Sequence, residues 1–88
     1  MLVKFGLILK NLSPATKPQK VERFRPYLER MCDQGILHDI AVKHLEVLDS
    51  TLKYIESGDE SHLKQGEAHY EEAAKLMDAL SEEVLKHD

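Results

Sequence analysis

Ile55-Glu56-Ser57-Gly58-Asp59-Glu60-Ser61 is the stretch on which the fold turns. Gly58 tolerates the left-handed conformation with which many helices end, and Asp59 suits the N-cap of a following helix, where its carboxylate accepts from otherwise unpaired backbone N–H groups. Asp59 and Glu60 at that start and Lys86 near the other end also complement the helix dipole. Two helices are therefore expected, from about Ile36 to Glu56 and from about Glu60 to Lys86, folded on each other as an antiparallel hairpin.

The lysines on both sides of the turn point the same way. Glu60, Glu71 and Glu82 precede Lys64, Lys75 and Lys86 by four residues, and Asp39 and Asp49 precede Lys43 and Lys53 at the same spacing. Acid before base at i,i+4 is the favourable orientation on a helix, at ~0.2–0.5 kcal/mol per pair. The apolar residues add a seam with 3,4 spacing: Ala41, Leu45, Leu48, Leu52 and Ile55 on the first helix, and Leu63, Gly66, Tyr70, Ala73, Met77, Leu80 and Val84 on the second. Folding about Gly58 sets Ile55 against Leu63, Leu52 against Gly66, Leu48 against Tyr70, Leu45 against Ala73 and Ala41 against Met77. Large residues meet smaller ones in the last four layers, as a filled inter-helix space requires.

Upstream, Thr16 is placed to cap a helix that Pro18 opens, and Val21, Phe24, Leu28 and Met31 keep helical spacing up to Gly35. Residues 17–34 are expected to form one basic amphipathic helix. Pro26 lies off its apolar stripe, which predicts a kink on the exposed side without a break in the buried one. In the apolar segment 1–12, Leu2, Phe5, Ile8, Leu9 and Leu12 fit a helix, whereas Met1, Val3, Phe5, Leu7 and Leu9 alternate like a strand. A lone strand would need a partner from another chain, which favours a short helix. The expected fold class is all-α: residues 1–88 form a single small three- to four-helix bundle built on the long hairpin, since a chain of this length supports one core.

Composition narrows the classes further. Charged residues are 32% of the chain and apolar residues 42%, the balance of a folded helical domain and not of a disordered one. Cys32 is the sole cysteine, so no internal disulfide forms and a cytoplasmic location is expected. Lys10 interrupts the apolar start, leaving it too short for a secretory signal or a membrane span. Net charge is −4, unevenly spread: Met1 to Arg30 carries seven Lys/Arg against two Glu, and Met31 to Asp88 five Lys against fourteen Asp/Glu. The two parts can answer each other within one chain or between two copies.

The candidate sites are few. Five histidines invite a metal, but none stand three or four apart, and the nearest di-iron match is a single Asp59-x-x-His62. His44, His62 and His69 are expected on solvated flanks. His38 would continue the stripe of Ala41 and Leu45 and pack, partly buried, near Leu80. His62-Leu63-Lys64-Gln65-Gly66 resembles the phosphorylated-histidine motif of histidine phosphotransfer domains over five residues only, and Gln65 stands where that family has Lys. Tyr54 to Gly58 with Tyr70 to Ala74 likewise resembles a tetratricopeptide repeat, but nothing recurs and the last helix is too long. Cys32 reads as a small packing residue, and no nucleophile has a base and an orienting group at a suitable spacing, so no enzyme activity, cofactor or metal is expected.

Lys17, Lys20, Arg23, Tyr27 and Arg30, with Arg25 nearby, form the one basic patch, a candidate site for an acidic partner. A pI of 5.7 argues against nucleic acid as that partner. Leu37, Ile40, Val47, Leu76 and Leu85 fall outside the inner stripes and need cover from other helices or another chain. The function expected is a non-catalytic, self-associating helical interaction module, a homodimer or a binder of another protein; the alternative is a small regulator binding nucleic acid through residues 17–30.

Overall fold

The computed structural model describes residues 2–86, with side chains over 4–82. The chain is an all-α bundle of helices α1 (Leu2–Lys10), α2 (Pro18–Glu22), α3 (Arg25–Cys32), α4 (His38–Ser57) and α5 (Glu60–Lys86), with a single 3-10 turn at Gly35–Leu37 before α4. The α4–α5 hairpin is its frame. Gly58 closes α4 in the left-handed region at φ 71°, donating its N–H to Tyr54 O at 2.7 Å. Asp59 Oδ1 accepts from the Ser61 N–H at 2.9 Å, and this bond holds the Asp59 carboxyl below its usual range. Turn chemistry and helix bounds thus follow the reading of residues 55–61.

The hairpin register differs from the one expected. Gly66 is buried on α5, but it faces Val47, Ser50 and Thr51 and not Leu52. Lys43 Nζ reaches Glu72 across the pair at 2.7 Å, and the His44 ring stands edge-on to Tyr70 with centroids 5.8 Å apart. The row of α4 turned to α5 is therefore Ile40, His44, Val47, Thr51 and Tyr54. It lies one residue before the expected row, about 100° around the helix. Leu45, Leu48 and Leu52 share a face with Asp49, which Arg25 of α3 holds at 2.8 Å, so this more apolar row covers α2 and α3. Helix α4 is central and buries two faces.

The basic segment 17–34 is two helices and not one kinked helix. Pro26 has no N–H for the Glu22 carbonyl and its ring crowds that oxygen, so the chain breaks at Arg23 and Phe24. The turn keeps near-helical angles, and Val21, Phe24, Leu28 and Met31 all remain in the core. Thr16 does not cap α2. Its Oγ1 accepts from the Ser13 N–H at 3.0 Å and closes the preceding turn, while Pro18 does stand in the first turn of α2.

Segment 1–12 resolves as helix over α1, fastened by Phe5. That ring is fully buried, 5.2 Å from Phe24 and 6.1 Å from His44 between centroids. Full burial of an aromatic side chain stabilises by ~1.5–3 kcal/mol, enough to hold a nine-residue helix that cannot stand alone in water. Ile40 and Val47, expected to need cover from other helices or another chain, are buried within the chain's own bundle, and Leu37 and Leu76 are half-buried; Leu85 lies outside the described side chains.

Candidate functional site

The described structure presents four places where chemistry or recognition can occur: a buried histidine, a basic face, a cleft beside α1 and an apolar groove at one end of the hairpin.

The histidine is not the one the sequence singled out. His38 is exposed at the start of α4, its Nδ1 3.1 Å from Asp39 Oδ1, whereas His44 is 2% exposed. Within α4, His44 Nδ1 donates to Ile40 O at 2.8 Å. Burial lowers its pKa, with the Ile40 bond as the smaller, opposing influence, which favours the neutral ring. His69 is partly buried and not fully solvated: its Nδ1 lies 2.9 Å from Glu46 Oε2 but off the line of a hydrogen bond. His62 is likewise half-buried. No group of three or more metal-binding side chains converges among the described residues.

None of the five acid-to-lysine pairs closes at i,i+4 among the described residues, and two of them are redirected between helices. Lys43 contacts Glu46 and Glu72 and not Asp39, and Glu72 raises its pKa while its own is lowered in return. Asp49 goes to Arg25 and not to Lys53. Arg25 also pairs with Glu22, the larger cause of its raised pKa, and this triad is the internal answer of the basic segment to the acidic hairpin. The side chains of Lys86, Val84 and Glu83 lie outside the described residues.

On the basic face, Lys17, Lys20, Arg23 and Arg30 are exposed and form no ion pair among the described residues. Arg23 lies over the Phe24 ring, 5.5 Å from its centroid, and Arg30 Nε donates weakly to Pro26 O at 3.4 Å. Tyr27 differs from its neighbours because it packs, half-buried, against the core, which leaves less of its ring free for stacking on a base.

Neither remaining place was legible from residue type. Between α1 and the hairpin, a cleft of about 300 Å³ is walled by Leu9, Leu12, Val47 and Leu63, with Gly6, Gly66, Thr51 and Tyr70 along it and Lys10, Glu67 and Glu71 also lining it. At the end away from the Gly58 turn, a groove of about 290 Å³ runs between Ile36, Ile40, Leu76, Ala79 and Leu80, with Asp39 beside it. Ile36 is 69% exposed and Met77, one residue from Leu76, 39%. With Ile40 opposite Leu76 and Leu80, α5 runs on to Lys86 with no α4 residue opposite its last turn.

No helix among the described residues is long and apolar enough to cross a membrane. Compared with family models, curated proteins and solved structures, the chain has no match, so its function rests on its own geometry.

Proposed function

We propose that the protein is a non-catalytic helical interaction module that pairs with a second copy of itself through the Ile36 end of the hairpin. The observation that carries this is Ile36, the most exposed large apolar residue described, which stands over a groove of further apolar side chains where α5 outruns α4. An open apolar groove beside a helix end with no neighbour is half of a helix packing. In a two-fold pair each copy supplies both halves, since an isologous interface sets residue i on j and j on i. The sequence continues the α5 stripe to Val84, which suits the overhanging turn as the occupant of the partner's groove. Charge supports the same partner: beyond Arg25 the basic face forms no ion pair among the described residues, and the exposed acids Glu67, Glu71, Asp78 and Glu82 lie on α5.

Sedimentation equilibrium at tens of micromolar tests it. The wild type should weigh twice its 10.1 kDa, and Ile36→Glu should return it to monomer without loss of helix, because an exposed residue contributes nothing to its own core. A wild type that stays monomeric, or an Ile36→Glu protein that still pairs, would refute the interface.

A second reading, a regulator that binds nucleic acid through Lys17, Lys20, Arg23, Tyr27 and Arg30, draws on the exposure of the four cations. The packed Tyr27 and the acidic remainder weigh against it. It requires binding to random duplex DNA that falls steeply with salt, where the interaction module requires none.

A further inference from the structure

Gly66 sits in the interior of α5, where glycine is the poorest helix former after proline. Close packing does not demand it. A Cβ built there would lie 3.6 Å from Ser50 Cβ, 3.9 Å from Thr51 Oγ1 and 3.9 Å from Val47 O, all ordinary contact distances. What a methyl group would do is take up part of the cleft that Gly66 and Thr51 both line. Thr51 is 3% exposed, and its hydroxyl, which makes no hydrogen bond to the protein among the described residues, is left to the cleft that Thr51 lines. Across the cleft, a Cβ on Gly6 would come within 2.9 Å of Tyr70 Oη, so glycine there lets the phenol lie against α1 and wall the space. Two helix-interior glycines thus border one cavity that holds an unpaired hydroxyl.

We propose that this cleft is a binding site for a small, uncharged aliphatic alcohol, its chain against Leu9, Val47 and Leu63 and its hydroxyl exchanging hydrogen bonds with Thr51. The ligand is uncharged because no charged side chain accompanies Thr51 in the buried wall to answer an ion, and Lys10 is outnumbered by Glu67 and Glu71. It carries a hydroxyl because Thr51 both donates and accepts. It is small because about 300 Å³ lies at the lower limit of small-molecule sites. The site lies toward the turn end of the hairpin, away from Ile36, and is independent of self-association.

Titrating the isotope-labelled full chain with 1-hexanol and following amide resonances tests the assignment. Saturable shifts are expected at Gly6, Thr51 and Gly66. Thr51→Val, which keeps the shape and removes the hydroxyl, should weaken binding about tenfold, the worth of one good hydrogen bond. Gly66→Ala should melt higher than wild type yet lose the saturable shifts, and this keeps the test decisive if Thr51→Val folds poorly. Absence of saturable shifts in the wild type up to the solubility of hexanol would overturn the proposal, as would unchanged binding by Gly66→Ala.

Discussion

His44 places an ionisable ring where water does not reach, and its lowered pKa makes stability depend on pH. Above its ordinary value of 6.5 the ring is neutral in both folded and unfolded chains and is silent. As pH falls below that value the unfolded chain takes up a proton that the folded chain refuses, so stability drops down to the lowered folded pKa. Urea midpoints measured from neutral pH down to about pH 5 should therefore decline, and His44→Phe should flatten that limb; an equally steep decline in the variant would assign it to other groups. Glu72 and Asp59 act lower on the scale, since their depressed pKa values stabilise the fold above the ordinary carboxyl range and that support is lost as they protonate. Gly66→Ala should raise stability by up to ~1 kcal/mol, because the added methyl fits against α4; a lower midpoint would mean that the helices approach more closely than described. Neither His44 nor the partner of Gly66 was legible in the sequence. A histidine between Lys43 and Leu45 reads as a polar flank position unless the opposite face of α4 is known to be covered too.

The elements themselves were legible where local chemistry decides them. Gly58 and Asp59 mark the turn unaided, and lysines spaced after acids mark long helices, even though Lys43 and Asp49 turn to other helices in the fold. The face of α4 was not legible, for a physical reason. Ala41, Leu45, Leu48, Leu52 and Ile55 outscore Ile40, His44, Val47, Thr51 and Tyr54 in hydropathy, but a central helix buries both rows, and hydropathy does not say which neighbour each row meets. Pro26 misled more simply: its missing N–H and its ring act on the Glu22 carbonyl whichever way its own side chain points. Pro26→Ala restores that donor and should join α2 to α3, seen as a gain in far-UV helical ellipticity with the Phe24 and Leu28 core intact; an unchanged spectrum would locate the break elsewhere. Helix α1 is held chiefly by Phe5, its one fully buried side chain among the described residues, with Ile8 and Leu9 partly buried beside it. Phe5→Ala removes a fully buried ring and should cost ~3–5 kcal/mol, with the α1 amides losing exchange protection first, whereas a loss below ~1 kcal/mol would mean that α1 only rests on the bundle.

At the scale of the whole molecule, the fold is longer than its size requires. The Cα radius of gyration is 13.6 Å and the long axis 46 Å against 22 and 17 Å across, where a compact domain of this length has a radius of ~12 Å. The excess comes from α5, which outreaches α4 at the end where Ile36, Met77 and Leu80 gather. Sequence alone points to surplus apolar residues needing cover, but it names Ile40 and Val47, which the chain buries itself, and passes over Ile36. Only the fold tells covered from uncovered, because a stripe position is buried or bare according to where the opposing helix stops. Pairing through the α5 overhang sets two molecules end to end with a short overlap. Small-angle X-ray scattering on a chromatographically resolved peak reads mass and length together. The expected result is twice 10.1 kDa and a maximum dimension well beyond the 46 Å of one chain, reverting in Ile36→Glu. A single-chain mass across the accessible concentrations would contradict the proposed pairing, as would a dimer no longer than one chain.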